Sequence, residues 1–456
     1  MSLGTIILKF YNWWNNATKI QSAIRAQKLS ALSEATSPKF LRIGVLSAAK
    51  INFTAIFDAV ATHPSVVIVA VASRDKAKAD AQIAENKLAI VGECKSYGSY
   101  DALLDDPNID AVYIPLPNGL HHKWTLAALE KGKHVLIEKP LVSNAREARE
   151  VREAARRSGK VALEAFHWRF HPSAHVVKTM LLSGEYGPIR TMDARFAMPA
   201  GVFPKDDIRF NYELGGGSCM DLTYVFAALE YFAARDATKP GVEFEVLEAK
   251  GRVNKRDSRI DDAMSATIVI RDSGSYGESS GSRGTKGEVK ATVYADLAAP
   301  PLFGFIPNLG AMTPMLTIEC EGAEIVFSNF MGPWVGHSIT VTPVTRDKDT
   351  GQILGRGKKT VQKVYKGGPI WEVEAKNDST KGDKDTSSSV GEDWWTTYRY
   401  QLEVFVRKIR EHEEQQQQES NGYEYKGPWM SLDESVKVME IIDSVYERAG
   451  LPIRGE

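Results

Sequence analysis

Between residues 41 and 165 short apolar runs alternate strictly with helical stretches, and no other feature of the chain restricts its fold as much. The runs Leu41 to Leu46, Val66 to Ala72, Asp110 to Pro115, His134 to Glu138 and Val161 to Ala165 carry few polar interruptions. Helical patterns over Ile51 to Thr62, Lys76 to Asn86, Leu120 to Lys131 and Asn144 to Ser158 lie between them. Strands apolar on both faces, each followed by a helix, form a parallel sheet covered on both sides. The expectation is a doubly wound, Rossmann-type domain over 40–165, behind an N-terminal extension over 1–39.

Past residue 166 the style changes. Longer alternating strands are expected at Arg190 to Met198, Glu243 to Val253, Ala263 to Ile270, Val289 to Leu297, Met315 to Glu321 and Ile339 to Thr345. Such runs suit a large, mostly antiparallel open sheet with one face packed. The fold class is therefore α/β for the first domain and α+β for a C-terminal substrate and dimerisation domain over 166–430. Helices are expected at Trp394 to His412 and Leu432 to Ala449. The second, within 431–456, would close the chain by packing back on the Rossmann domain. Ser273 to Gly287, with ten Gly or Ser in fifteen residues, reads as a flexible insertion, as does polar Asn377 to Val390. The tract Gln415 to Gln418 reads as a solvated connector.

Composition removes several function classes. Fifty-seven basic and 58 acidic side chains leave a formal charge of -1, so no overall field gathers nucleic acid or anionic membrane. No run approaches the roughly 18 apolar residues of a membrane span. Cys94, Cys219 and Cys320 lie far apart, which indicates neither a disulfide framework nor a zinc site. Residues 1 to 33 hold Lys9, Lys19, Arg25 and Lys28 but no acid, together with Trp13 and Trp14. A helix resting on the folded body through its tryptophans is the preferred reading, with a cytoplasmic protein. A mitochondrial transit peptide shares this composition.

An open doubly wound sheet binds ligands outside the carboxyl ends of its strands, with phosphates against the first helix. The first such loop is Ser47-Ala48-Ala49-Lys50-Ile51-Asn52, where Ser47, Ala49 and Asn52 stand in place of the three fingerprint glycines. An ordinary βα turn is the competing account. After the second strand come Ser73 and Arg74. A carboxylate there would bond the ribose hydroxyl of NAD, whereas a hydroxyl and a guanidinium suit the 2′-phosphate of NADP. NADP is thus favoured, with NAD the alternative. Two further loops leave buried strands: Pro115-Leu116-Pro117-Asn118-Gly119-Leu120-His121-His122, and Glu138-Lys139-Pro140. Lys139, between a carboxylate and a proline, is a fixed ammonium rather than a free surface lysine. The adjacent pair His121-His122 has no third ligand nearby in sequence, so no metal is expected and a helix-start or ribose contact is preferred.

These stretches resemble a family. Gly132-Lys133-His134-Val135 leading to Glu138-Lys139-Pro140, together with Pro117-Asn118-Gly119-Leu120-His121, is similar to the Gfo/Idh/MocA oxidoreductases. Glu164 to Pro172 and Gly215-Gly216-Gly217-Ser218-Cys219-Met220-Asp221 extend the likeness, which covers about 40 to 330 and the closing helix. Phe203 to Phe210 is similar to a fungal-type subgroup of NADP-dependent D-xylose 1-dehydrogenases, near the dimeric dihydrodiol dehydrogenases. The resemblance implies that Lys139 contacts the reacting hydroxyl and the nicotinamide ribose, and that Asp221 lies in the substrate pocket. It implies cofactor contacts from the loops above, including Glu138 and His121, and from Trp168 and Arg169. The family's acid/base residue stands four positions after the aspartate. Here that position is Val225, and Tyr224 is one residue earlier. Either the helix is offset by one residue, about 100° of rotation, or another group carries the proton.

Oxidising a sugar hydroxyl needs a hydride acceptor and a base touching the same oxygen. A phenol or an ammonium is a poor base near neutral pH, and the positive charge of an oxidised nicotinamide favours loss of its proton. The expected assignment is Tyr224 as proton acceptor and Lys139 as the group polarising the hydroxyl. His167, Arg169, Asp207 and Arg209 are expected to contact sugar hydroxyls. For His167 a buried packing role is the alternative, and Arg209 can instead pair with Asp206 or Asp207. The reaction expected is oxidation of an aldose at C1 to a lactone, in a homodimer joined through the C-terminal sheet. A polyol or trans-dihydrodiol dehydrogenase and a non-catalytic NADP(H) or sugar sensor remain open at this point.

Overall fold

The computed structural model describes residues 40–89, 93–234, 242–272, 288–303, 305–306, 308–347, 349–371, 390–416 and 425–456. The N-terminal extension, the Ser/Gly-rich insertion and all of the Asn377 to Val390 run except Val390 lie outside these residues, as do Gln417 and Gln418.

The described residues fall into two compact units. The first comprises residues up to Leu141, Arg149–Pro172 and Tyr365–Leu432. Its centre is a six-stranded sheet made of β1 (Leu41–Leu46), β2 (Val66–Ala72), β3 (Lys95–Tyr97), β4 (Ala111–Ile114), β5 (His134–Ile137) and β6 (Ala162–Glu164), in the order β3-β2-β1-β4-β5-β6. Every pairing is parallel. All four residues of β4 and of β5 are buried, as continuous apolar runs require. Burying each Val, Ile or Leu there contributes about 1.5–3 kcal/mol, so these strands have no stable alternative at the surface. The order reverses between β1 and β4, which puts their carboxyl ends on either side of the position where such sheets bind ligands. The reading of the sequence omits β3 and the helix Tyr100–Leu104. Both are short, and the helix is fixed by Ser99, whose hydroxyl accepts the amide of Ala102 at 3.1 Å.

The second unit comprises Val142–Ala148, Ser173–Val364 and Asp433–Glu456. Its nine-stranded sheet consists of β7 (Ile189–Pro199), β8 (Val242–Val253), β9 (Asp261–Asp272), β10 (Glu288–Ala299), β11 (Met315–Cys320), β12 (Ala323–Ser328), β13 (Ser338–Arg346), β14 (Ile353–Arg356) and β15 (Thr360–Gln362). The order is β14-β13-β12-β11-β7-β10-β9-β8, with β15 beside β13. Only β7 and β10 pair in parallel; the other pairings are antiparallel. Burial alternates residue by residue along β11 and β12, so one face is covered. The helix Tyr224–Ala233 is buried along its entire length and packs on β7 and β10.

The closing helices exchange the places expected of them. Thr397–Gln416 belongs with the parallel sheet, held by Arg410 to the Ser65 hydroxyl and by Glu403 facing His63 at 3.4 Å. Leu432–Arg448 belongs with the large sheet rather than the Rossmann fold, because Tyr446 donates to Asp261 and Arg448 to the carbonyl of Leu247. Gln415 and Gln416 continue the first of these helices instead of opening a connector. Among the described residues no helix is long and apolar enough to cross a membrane.

Candidate functional site

In the first unit the loop after β1 turns without glycine. Ser47 takes a positive φ of 149°, in the region a first glycine would fill, while Ala49 keeps a negative one. Buried Asn52 closes the turn by donating to the Ser47 carbonyl at 2.7 Å and to Gln82 Oε1 at 2.9 Å. Gln82 returns a bond to the Ala49 carbonyl at 3.0 Å. Side-chain amides thus fix what glycines would otherwise allow. Lys50 and Ile51 are exposed at its tip. After β2, Ser73 is buried and accepts the amide of Asp75, and Asp75 caps the following helix through Ala77. Arg74 is exposed, with no carboxylate paired to it among the described residues. The loop and the open guanidinium fit a dinucleotide carrying a 2′-phosphate.

The Pro115–His121 loop corrects one expectation. His121 is fully buried, with Nδ1 2.8 Å from the Pro140 carbonyl and Nε2 2.7 Å from the Leu116 carbonyl. Neither nitrogen is left for a ribose. Burial pushes its pKa down to about 4, against the two carbonyls that favour the charged ring. In the neutral form the ring has a single N–H, which donates to one of the two carbonyls, and both nitrogens are enclosed by the Leu116 and Pro140 backbone. His122 Nε2 lies 2.8 Å from Glu150 Oε2.

At the carboxyl end of β5, Glu138 receives the Tyr113 hydroxyl at 2.7 Å and the amide of Lys139 at 3.4 Å. Burial raises its pKa, opposed by Tyr113 and by the charge of Lys139. His167, Trp168 and Arg169 are all buried in the turn that follows β6. The His167 ring stacks at 4.1 Å on Tyr398, the second residue of Thr397–Gln416. Burial, then the ammonium of Lys139, lowers His167 to about 3. Burial, then the charge of Glu138, raises the phenol of Tyr398. Lys139, Glu138, His167 and Tyr398 therefore share one electrostatic neighbourhood. Sequence reading did not single out Tyr398, which lies 231 positions from His167. The only local signal is its place among Trp394, Trp395 and Tyr400.

The second unit assembles another group. Arg209 donates through Nε to Asp221 Oδ2 at 2.9 Å and through Nη1 to Asp207 Oδ1 at 2.9 Å. Its guanidinium lies 4.3 Å over the Phe203 ring. Burial works against its charge, but Asp221 and Asp207 outweigh it and the pKa is raised. Arg209 thus pairs with Asp207 and with Asp221, not with Asp206. Asp207 Oδ1 also accepts the amide of Arg209 at 3.0 Å, so that oxygen braces the arginine instead of facing a ligand. The turn Gly215–Gly217 makes this possible. Gly217 donates to the Arg209 carbonyl and Gly216 to that of Asn211, both at 2.9 Å. A Cβ on Gly216 would stand 2.6 Å from the Arg209 carbonyl oxygen.

The question of helix offset takes a different form. The helix Ser218–Asp221 stops at Leu222, and a new helix begins at Tyr224. Tyr224 and Val225 are thus not on one continuous helix with Asp221. Both are buried, Tyr224 with its ring 6.3 Å from Phe196.

Residues 20–166 match GFO_IDH_MocA, an oxidoreductase family with an NAD-binding Rossmann fold. A dTDP-3,4-didehydro-2,6-dideoxy-alpha-D-glucose 3-reductase of Streptomyces antibioticus is 35% identical over 235 residues, 51% of this chain and 66% of the relative. A D-xylose 1-dehydrogenase (NADP(+)) of Haloferax volcanii is 40% identical over 195 residues, 42% of this chain and 57% of the relative. The chain therefore spans less than two thirds of the length of these curated relatives. A solved 3-ketoreductase from Actinomadura kijaniata, in complex with NADP and TDP-benzene, shares the fold. Its TM-score is 0.63 and its identity 22%, over 90% of this chain and 98% of that one.

Proposed function

Because residues 20–166 belong to the Gfo/Idh/MocA oxidoreductases, we propose that this protein is an NADP-dependent oxidoreductase moving a hydride between a sugar hydroxyl and nicotinamide. The preferred substrate is an aldose of the D-xylose kind, oxidised at C1 to a lactone. The observation that carries the reading is Lys139 beside Glu138 at the carboxyl end of β5, next to the reversal of strand order. Bound NADP supplies the hydride acceptor. Arg74 would hold the 2′-phosphate and the Ser47–Asn52 turn the pyrophosphate. Lys139 of the first unit is the group proposed to polarise the hydroxyl, and Tyr224 of the second unit the group proposed to accept a proton. Within the second unit Arg209 and Asp221 are the proposed contacts for sugar hydroxyls, since a guanidinium and a carboxylate together offer donors and acceptors to a polyol. The Streptomyces reductase supports ketone reduction at a nucleotide-linked sugar as the second reading.

We propose a homodimer through the large sheet. Asp193, Arg195, Glu248, Lys250 and Tyr294 line a groove on it, and residues of both charges there suit a self-complementary two-fold contact.

NADPH titration followed by hydride transfer across aldoses, polyols, diols and nucleotide sugars tests the reading. Turnover of an aldose with NADP supports it. Tight NADPH binding with no turnover on any member of the panel identifies a sensor instead and overturns it.

A further inference from the structure

In the second unit Asp261, the first residue of β9, meets Arg454, six positions beyond the helix Leu432–Arg448. Nη2 lies 2.7 Å from Oδ1, and both side chains are wholly shielded from water. Two ions in that position lose their hydration, and apolar residues of similar volume often serve stability as well. The pair is nevertheless fully engaged. Asp261 Oδ1 also accepts the Tyr446 hydroxyl at 2.9 Å. Oδ2 accepts the Ser218 hydroxyl at 2.6 Å and the Cys219 amide at 2.9 Å. Arg454 donates from Nε to the Gly216 carbonyl at 2.6 Å and from Nη1 to that of Pro452 at 2.7 Å.

Those bonds converge on the turn that holds the substrate arginine. Gly216 is held by Arg454, and Ser218 and Cys219 by Asp261. Through their amides Gly216 and Gly217 hold the carbonyls of Asn211 and Arg209. The helix starting at Ser218 ends with Asp221, which receives Arg209 Nε. A side chain on Gly217 would stand 2.7 Å from Arg454 Nη2, so the fit leaves no slack.

We propose that Asp261 and Arg454 are positioning residues, fixing the Gly216–Asp221 turn so that Arg209 and Asp221 present one preset geometry to the hydroxyls of the substrate. This rests on the sugar oxidoreductase reading, in which those two residues touch substrate. The pair acts as a latch on binding geometry and not only as a support of the fold.

The test uses the full chain with Arg454→Lys, which keeps the charge but cannot reach all three acceptors at once, and with Asp261→Asn. In both, substrate KM rises and kcat falls, lowering kcat/KM about 10- to 100-fold, while NADPH affinity stays unchanged. A pair that only supports the fold would lower the melting temperature and leave KM and kcat of the folded protein intact, and that result would overturn the proposal. Hydrogen exchange of the amides over 209–221 gives a readout that needs no turnover. It should quicken in both variants while 41–137 keeps its protection, and unchanged exchange counts against the latch. If the unaltered protein turns over nothing on the panel, the sugar reading fails and the exchange measurement alone decides the latch. If either variant does not fold, Tyr446→Phe removes a single bond to Asp261 and carries the same measurements at smaller amplitude.

Discussion

Gly216→Ala adds one carbon where the chain has no room for it. That carbon would sit 2.6 Å from the Arg209 carbonyl oxygen and 2.8 Å from that of Asn211. The shortfall from ordinary contact is roughly 0.6 to 0.9 Å. Both neighbours are backbone, so neither can swing aside. Overpacking of this kind costs about 1–3 kcal/mol. The two amide bonds from Gly216 and Gly217 lengthen as the segments part, at about 1 kcal/mol each. Restriction of the unfolded chain by alanine returns about 0.4–1 kcal/mol. The balance is a loss of roughly 2–5 kcal/mol, read as a fall in the urea midpoint of the second unit. Gly355→Ala is the control, because a Cβ there meets nothing within 4 Å, and it should stay within about 0.5 kcal/mol of the unaltered chain. Should the two variants unfold at the same urea concentration, close approach is not what holds this turn.

Other outcomes follow from the same geometry. Lys139→Met should lower kcat/KM by about 100-fold or more while NADPH affinity changes little, and retained turnover would remove Lys139 from the chemistry. Arg74→Ala should weaken NADPH about 10- to 100-fold and leave NADH unaffected, measured by fluorescence titration. Acid should destabilise the first unit through its buried histidines, below the ordinary imidazole range. Burial pushes His63 and His121 down to about 4 and His134 and His167 down to about 3. Folded pKa values below the unfolded value mean that the stability is complete above about 6.5 and is lost as pH falls toward 4, by several kcal/mol in all. A urea midpoint unchanged between pH 7 and pH 5 would contradict this.

The parallel sheet was legible because a strand buried on both faces leaves an uninterrupted apolar run, and β1 and β2 begin and end where those runs do. Strand β3 and the helix Tyr100–Leu104 escaped because a few residues held by caps and neighbours carry little periodicity of their own. The place of Lys139 at the carboxyl end of a buried strand was legible from local context, a charged residue closing an apolar run. What His121 does was not, since its two partners, Leu116 and Pro140, are chosen by folding and not by spacing. The same holds for Tyr398 beside His167 and for Arg454 beside Asp261, 193 positions apart. Asp207 was read as a ligand contact because a carboxylate two residues before an arginine looks the same whether it faces outward or caps a turn.

The division of the chain between the two units sets how the protein can be made. The polypeptide passes from one unit to the other five times, at Leu141, Ala148, Pro172, Val364 and Leu432. No single contiguous fragment encodes either half, so excising one as an independent gene product would leave it without a helix it needs. During synthesis the large sheet waits for Tyr446 and Arg454 to leave the ribosome before Asp261 has its partners. Until then its strands are exposed to misassembly, and cooler expression or a holding chaperone should raise the yield.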